Sequence, residues 1–499
     1  RLEMNGLANG AEDSFYRYTN YETAEIGAVW SDENGEWERK SFSSREDNVT
    51  ITSVKATGGN RSFSMDLSID DISDMSSENK MSGSVEDVRY KKFYKNSDGE
   101  LYIGSVAHYP NYENSELKDG GFAGVSKIIV KGDGAAVNIT DGGAPVDDRT
   151  EEQKNNGVPN ETVINVSGSS VGSDYTFNAD PTVSVTNAEE IIVITKSARD
   201  KEMGAFADFA GATSYALVDE LVADTNSAAA KYTTDGVFNY DAALAPHAAE
   251  HGEIFGRAEL KLNASEADRA LANEDLIAKA KTEGESGTLN LAMLERMYYN
   301  GRYANVGCSG YQVPRLGGMW TGAWKVEWSG DYTTDANINL QVAGNNIGAM
   351  PESSQGFINF LLRTASDWEI NAKQVYGIDD AIFIPTRIDG DRAMVVHFSM
   401  SFPGHIWNSG ASWMLLPVYE YWQCYGNQQI PLADDVRELL EVTENTYNMA
   451  TQWYSDEEPA KVNDTVYNLR NTLGLTDERA AQILEQGYFD LEKDILFPL

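Results

Sequence analysis

Cysteine is nearly absent: only Cys308 and Cys424 occur in 499 residues. Two thiols exclude a disulfide-stapled scaffold, a four-thiolate zinc site and an iron–sulfur cluster built within one chain. Whether the pair is reduced or bridged stays open. Histidine is scarce too, at 5, and no metal or other cofactor is expected. Positive charge is short: 39 Lys+Arg face 78 Asp+Glu, a formal net charge of −39. That field repels phosphate backbones and anionic lipid, so it disfavours nucleic-acid and membrane-surface partners, while a neutral substrate meets little penalty on approach. No run approaches the ~20 apolar residues of a membrane span. No glycine-rich phosphate loop follows a strand, no nucleophile elbow of the form G-x-S-x-G occurs, and no repeat is evident. Arg1 opens the chain without a charged-then-apolar leader. Either a leader was removed or the chain is a piece of something longer, and the piece is the expectation taken forward.

Aromatic residues are plentiful, with 10 Trp, 25 Tyr and 17 Phe among 41% apolar residues, so sizeable cores can form. The length is about three times the ~150 residues of a typical domain, so two or more domains are expected. From Asn5 to about Thr225, β-rich runs such as VTITSVKA (49–56), GVSKIIVKG (124–132) and EIIVITKS (190–197) alternate with Gly/Asn/Asp/Ser clusters. That spacing predicts an antiparallel β-sandwich, with a tight hairpin at Asn34-Gly35 between two tryptophans. From about Asp241 the period becomes helical, over 265–283, 288–303, 353–376, 410–426, 432–454 and 475–497. Pro351-Glu352-Ser353-Ser354 signals the start of the third helix and Gly377 its stop. The predicted division is a β domain over 1–228, a helical linker over 229–285 and an α domain over 286–499. Strands followed by helices argue against a doubly wound sheet.

His247-Ala-Ala-Glu250-His251 has the H-x-x-E-H order of an inverted zincin. A third ligand is not evident, and the preferred reading is a surface helix carrying two histidines by chance. Cys308 is read as a small buried residue rather than a nucleophile. The informative stretch is 295–352, where about fifty residues of little periodicity follow a helix; loops that long inside helical domains are often functional. Trp320, Trp324 and Trp328 offer flat apolar faces, and Asn337, Asn339, Gln341, Asn345 and Asn346 add neutral amides that both donate and accept. Plates interleaved with amides suit a neutral polyhydroxylated ligand; the competing reading is a loop packed by its own tryptophans. A second cluster, Pro385–Asp391, His397-Phe398 and Phe402–Trp413, fits a pocket rim ahead of a buried helix.

The order of these motifs resembles glycoside hydrolase family 95, the inverting α-L-fucosidase family. Tyr16-Arg17-Tyr18, Trp37-Glu38-Arg39 and Phe42-Ser43-Ser44-Arg45 are similar to its β domain. His247–Glu250 and Phe255-Gly-Arg257 are similar to its linker. Tyr299-Asn-Gly301-Arg302-Tyr303, Pro314–Trp320 and Asn337-Ile-Asn339-Leu-Gln341 are similar to the start of its barrel, and Trp407–Trp413 with Tyr419-Glu420-Tyr421 to a later barrel helix. The resemblance implies a β-sandwich, a helical linker and an (α/α)6 barrel, incomplete in this chain. It also implies hydrolysis of a terminal α-L-fucose or α-L-galactose with inversion. On this pattern Asn337 and Asn339 position the attacking water, an aspartate completes the base and a glutamic acid protonates the leaving oxygen, while Trp320, His397 and Trp407 line the pocket.

The chain departs from the pattern after Asn339, where Val342-Ala-Gly-Asn345-Asn346 replaces the family's usual continuation. The two carboxyl groups are expected beyond Leu499. The resemblance therefore implies a secreted or cell-surface bacterial protein acting on an oligosaccharide or glycan, inactive as this piece and completed by the rest of the same polypeptide. The first rival is a non-catalytic carbohydrate-binding or surface protein on the same scaffold. A second rival is a phosphorylase, for which Arg387 and Arg392 are the nearby phosphate-binding candidates.

Overall fold

A computed structural model describes residues 2–5, 14–32, 35–59, 62–69, 89–97, 99–108, 120–142, 151–155, 176–200, 212–316, 331–388, 393, 407–444 and 466–499. The chain forms two compact units, Arg1–Gly252 and Glu253–Leu499. Each is described in turn.

The first unit is built from two antiparallel sheets. The smaller one contains β1 Leu2–Asn5, β6 Phe63–Ile69, β10 Ala136–Thr140 and β12 Thr182–Ala188, in the spatial order β1–β6–β12–β10. The strands of the larger one are β2 Tyr16–Thr19, β3 Ile26–Asp32, β4 Gly35–Ser43, β5 Thr50–Gly59, β7 Arg89–Ser97, β8 Glu100–His108, β9 Gly121–Lys131, β11 Thr176–Ala179 and β13 Glu190–Asp200. Their order is β11–β7–β8–β9–β13–β5–β4–β3–β2. In β6, Phe63, Met65 and Leu67 are buried while Ser64, Asp66 and Ser68 face outward, the period-two pattern of a strand with one covered face. They meet Trp37, Val54, Ile103 and Val193 of the larger sheet in one core, so the two sheets pack face to face. The hairpin places Trp30 directly opposite Trp37; its tip, Glu33-Asn34, lies outside the described residues.

In β13 Ile191, Ile192, Val193 and Ile194 are all buried, because both faces of this strand are covered. The second cover is helix α1, Ala212–Lys231. The sequence reading carries the β pattern through this stretch to about Thr225, and the structure corrects it. Leu217, Val218, Leu221 and Val222 fall on one side of a helical turn and pack against Val106, Ala123 and Val125. Helix α2, Tyr240–Gly256, follows a short hairpin formed by Thr233–Thr234 and Val237–Phe238, and runs through the boundary between the units.

The second unit is helical: α3 Asn273–Glu285, α4 Leu291–Cys308, α5 Asn337–Val342, α6 Pro351–Tyr376, α7 Gly410–Tyr425, α8 Asp434–Glu441 and α9 Asp477–Gln486. Helix α6 is the centre of the core, burying Phe357, Ile358, Leu361, Leu362, Ala365 and Trp368. Proline occupies its first turn and Gly377 caps it in the left-handed region (φ 68°), the two ends that the sequence signals. The stretch 475–497 is not one helix: Gly487 (φ 77°) stops α9, Tyr488–Asp490 pairs with Gln429–Pro431, and a π-helical turn covers Leu491–Leu496. Among the described residues, no helix is long and apolar enough to cross a membrane.

Candidate functional site

The histidine pair of α2 is buried, not a surface feature. His247 stacks on Phe42 (ring centroids 5.4 Å apart) and on His251 (6.0 Å). His247 Nδ1 accepts the Arg45 backbone N–H at 3.3 Å, and His251 Nε2 donates to the Tyr21 carbonyl at 2.9 Å. Glu250 points to Arg45 instead, at 3.7 Å. No group of three or more His, Cys, Asp or Glu among the described residues is placed to hold a metal ion. Burial, then the neighbouring His251 and Arg45, lowers the His247 pKa from 6.5 to about 4; burial lowers that of His251. The unfolded chain therefore takes up a proton below pH 6.5 that the native His247 refuses until about pH 4. Stability is expected to fall on acidification through that window, by ~3 kcal/mol for this group. Thermal unfolding of His247→Phe followed against pH checks it: an acid-side slope as steep as wild type would count against the assignment.

Both cysteines are free. Burial raises the Cys308 thiol pKa, the opposite of nucleophile activation.

The amide cluster of the second unit forms around α5. A two-stranded ladder precedes it, Tyr332–Thr333 against Arg387–Ile388. The ladder is pinned by Thr334, whose N–H donates to the Thr386 carbonyl at 2.9 Å and whose hydroxyl donates to the Pro385 carbonyl. Arg387 and Asp331 form an ion pair here, with side chains 10% and 5% exposed. Arg387 is thus held by a carboxylate, which weighs against its offering a phosphate site; Arg392 lies outside the described residues.

Asn337 and Asn339 occupy the first and third positions of α5. Residues two apart on a helix are ~200° apart around the axis and do not face one another. The structure accordingly does not bring the two amides together: Asn337 is half-buried and Asn339 is 6% exposed. Asn339 Nδ2 donates to the Trp413 carbonyl at 2.5 Å, leaving Oδ1 buried and without a partner among the described residues. The cause lies in α7. Pro417 has no N–H, so the carbonyl of Trp413 four residues earlier lacks its helical partner and accepts the side-chain amide instead. Asn346 Nδ2 donates to the Pro417 carbonyl at 3.3 Å, and its Oδ1 accepts the Ser354 hydroxyl at 2.7 Å. Gln341 Nε2 donates to the Arg315 carbonyl at 3.1 Å. Asn345 is 1% exposed, and neither polar atom of its amide has a partner among the described residues.

Trp407 is half-buried just before α7. Trp320, Trp324, Trp328, His397 and His405 lie outside the described residues. Sequence reasoning overlooked a polar stripe on α6, where Asp367 Oδ2 accepts the Ala393 N–H at 2.8 Å and Asn371 Nδ2 donates to the Ala393 carbonyl at 2.8 Å. The i, i+4 spacing of an acid and an amide within an apolar helix was its only signal.

Residues 239–454 match the sequence model of a glycosyl hydrolase catalytic domain. The model is that of the glycosyl hydrolase family 95 catalytic domain, to which this stretch is similar. A protein described as a kojibiose phosphorylase from human microbiome aligns with a TM-score of 0.46 at 10% identity, over 85% of this chain and 46% of that one. A bacterial glucoamylase complexed with acarbose aligns with a TM-score of 0.33 at 12% identity, over 75% and 43% of the two chains. For a family GH92 α-mannosidase from Bacteroides thetaiotaomicron the values are 0.22, 7%, 59% and 26%. The chain spans less than half the length of each of these proteins. No curated protein matches it.

Proposed function

We propose that this chain is part of a glycoside hydrolase that removes a terminal α-L-fucose or α-L-galactose from an oligosaccharide with inversion, at a site carried by an (α/α)6 barrel. The observation that carries the reading is the family 95 match over 239–454. Inversion requires an acid and a base carboxyl group roughly 6.5–9.5 Å apart with a water between them. An amide oxygen accepts that water's hydrogen bond but is too weakly basic to take its proton unaided. Asn339 is the amide we take for the positioning role: the Trp413 carbonyl fixes its Nδ2, and its Oδ1, buried in this structure, has no hydrogen-bond partner among the described residues. Asn337, on the other side of α5, is not placed to hold the same water; Trp320, His397 and Trp407 would line the sugar pocket. The two carboxyl groups would come from the rest of the same polypeptide, and the complete protein would act outside the bacterial cell or on its surface.

Residues 1–499 alone are expected to show no turnover of an aryl α-L-fucoside or α-L-galactoside, whereas the complete gene product releases the β-anomer first. Asn339→Ala in that product is expected to lower kcat by about 10²-fold or more while glycan binding persists. Turnover by the isolated piece would refute the division of labour, and an unchanged kcat would remove Asn339 from the mechanism.

A second reading, a carbohydrate-binding protein without hydrolysis, has one observation behind it. The sequence departs from the family pattern at Val342–Asn346, and Asn346 there serves packing, held by Ser354 and Pro417, rather than chemistry. A glycan array beside the hydrolysis assay on the complete product separates the two.

A further inference from the structure

A cleft of about 360 Å³ lies in the first unit, on the face of the larger sheet turned toward the Thr233–Phe238 hairpin and the start of α2. Its floor is set by register. Glu38 on β4 pairs with Lys55 on β5, Lys55 with Glu190 on β13, and Glu190 with Lys131 on β9. Directly opposed residues share a face, so the four side chains form a row of alternating acid and amine across four strands. The row is braced at one end: Lys131 Nζ donates to Glu190 Oε2 at 2.7 Å and to the Phe238 carbonyl at 2.6 Å, and Ser53 Oγ donates to Glu190 Oε1 at 2.9 Å. At the other end Lys40 Nζ lies 3.2 Å from Glu38 Oε1.

Lys55 stands between two carboxylates, yet it is exposed and its ammonium makes no ion pair among the described residues. Asp241, on the α2 side of the cleft, is likewise exposed. Thr234 and Asn239 add a hydroxyl and an amide, and the exposed Val237 adds an apolar edge.

We infer that this cleft is a binding site for a neutral saccharide, separate from the amide cluster around α5 and independent of whether the chain takes part in hydrolysis. The lining carries three lysines, Lys40, Lys55 and Lys131, against three carboxylates, Glu38, Glu190 and Asp241, so it has no net preference for an ion. The chain's net charge of −39 further disfavours an anion. A zwitterion would rely on Lys55 and Asp241, both exposed and screened by water, and such pairs contribute little. A polyol is different. Each hydroxyl donates and accepts, so neighbouring hydroxyls match a carboxylate beside an ammonium, and hydrogen bonds to charged groups are the stronger kind. A pocket in the range of roughly 300–1,000 Å³ accommodates a small organic ligand. The cross-strand braces hold the charged groups in place before the ligand arrives, which limits the ordering cost of binding.

The test is calorimetric titration of the 499-residue chain with lactose, maltotriose and xylotriose, alongside inorganic phosphate and glycine as charged probes. At least one saccharide is expected to bind, and Lys55→Met and Glu38→Gln each to weaken it at least fivefold. Lys281→Met, in the other unit, serves as the control and is expected to leave affinity unchanged. Hydrogen exchange on the unsubstituted chain gives a readout free of folding effects, with slowed exchange expected at 49–56 and 233–241 when the saccharide is added. Failure of all three saccharides to bind, binding indifferent to both cleft substitutions, protection elsewhere only, or preference for phosphate or glycine would each overturn the assignment.

Discussion

Arg302→Met is expected to lower the unfolding free energy by about 3–5 kcal/mol, in line with removing a buried charged donor from several acceptors at once. Arg302 is 4% exposed. Its guanidinium donates to the Phe255 carbonyl at 2.7 Å, to the Ile254 carbonyl at 2.5 Å and to the Gly348 carbonyl. Ile254 and Phe255 end α2, where carbonyls lack helical partners and the dipole favours a cation. One planar fork thus closes the end of α2 and ties it to the turn before α6. Burial lowers the Arg302 pKa, but an arginine starts so high that it stays charged. Arg302→Lys is expected to recover only part of the loss, because an ammonium cannot reproduce the fork. Urea unfolding of the three proteins decides it: a methionine variant within about 1 kcal/mol of wild type would show that water satisfies those carbonyls equally well.

The Asp331–Arg387 pair leads to an expectation of a different form. Because both side chains are buried, removing either one strands the other charge, and Asp331→Asn or Arg387→Met should each cost about 3–5 kcal/mol. Replacing both, as Asp331→Leu with Arg387→Met, should cost far less than the sum, since a desolvated ion pair is roughly offset by apolar packing of similar volume. A double-mutant cycle read by denaturant midpoint gives the coupling. Additive losses would mean that the two groups act separately, and the pinning of the Tyr332–Thr333 ladder would then have to rest on Thr334 alone.

Several features were legible because they depend on local chemistry. The alternation in Phe63–Ile69 dictates a one-sided strand in any context, and Pro351 and Gly377 mark helix ends through their own backbone preferences. The motif Tyr299–Tyr303 was recognised as a pattern, but its physical content was not, since the Phe255 carbonyl that Arg302 serves lies 47 residues earlier in the chain. Helix α1 was misplaced into the β region because its apolar residues acquire meaning only from the sheet they cover. The five amides between Asn337 and Asn346 read alike in composition, yet tertiary contacts give them unlike tasks. Asn339 serves a carbonyl freed by Pro417, Asn346 joins α6 to α7, and Asn345 is buried without a partner among the described residues.

Periodicity, charge balance and motif order were enough to define a β-rich first part, a helical second part and the resemblance of residues 239–454 to the family 95 catalytic domain. Those properties survive any rearrangement of neighbours, because they reside in the covalent chain. The direction of each amide, the burial of His247 and His251, and the alternating row from Glu38 to Lys131 were decided by tertiary structure alone. Each depends on groups far apart in sequence meeting at hydrogen-bond distance, and such meetings carry no local signature.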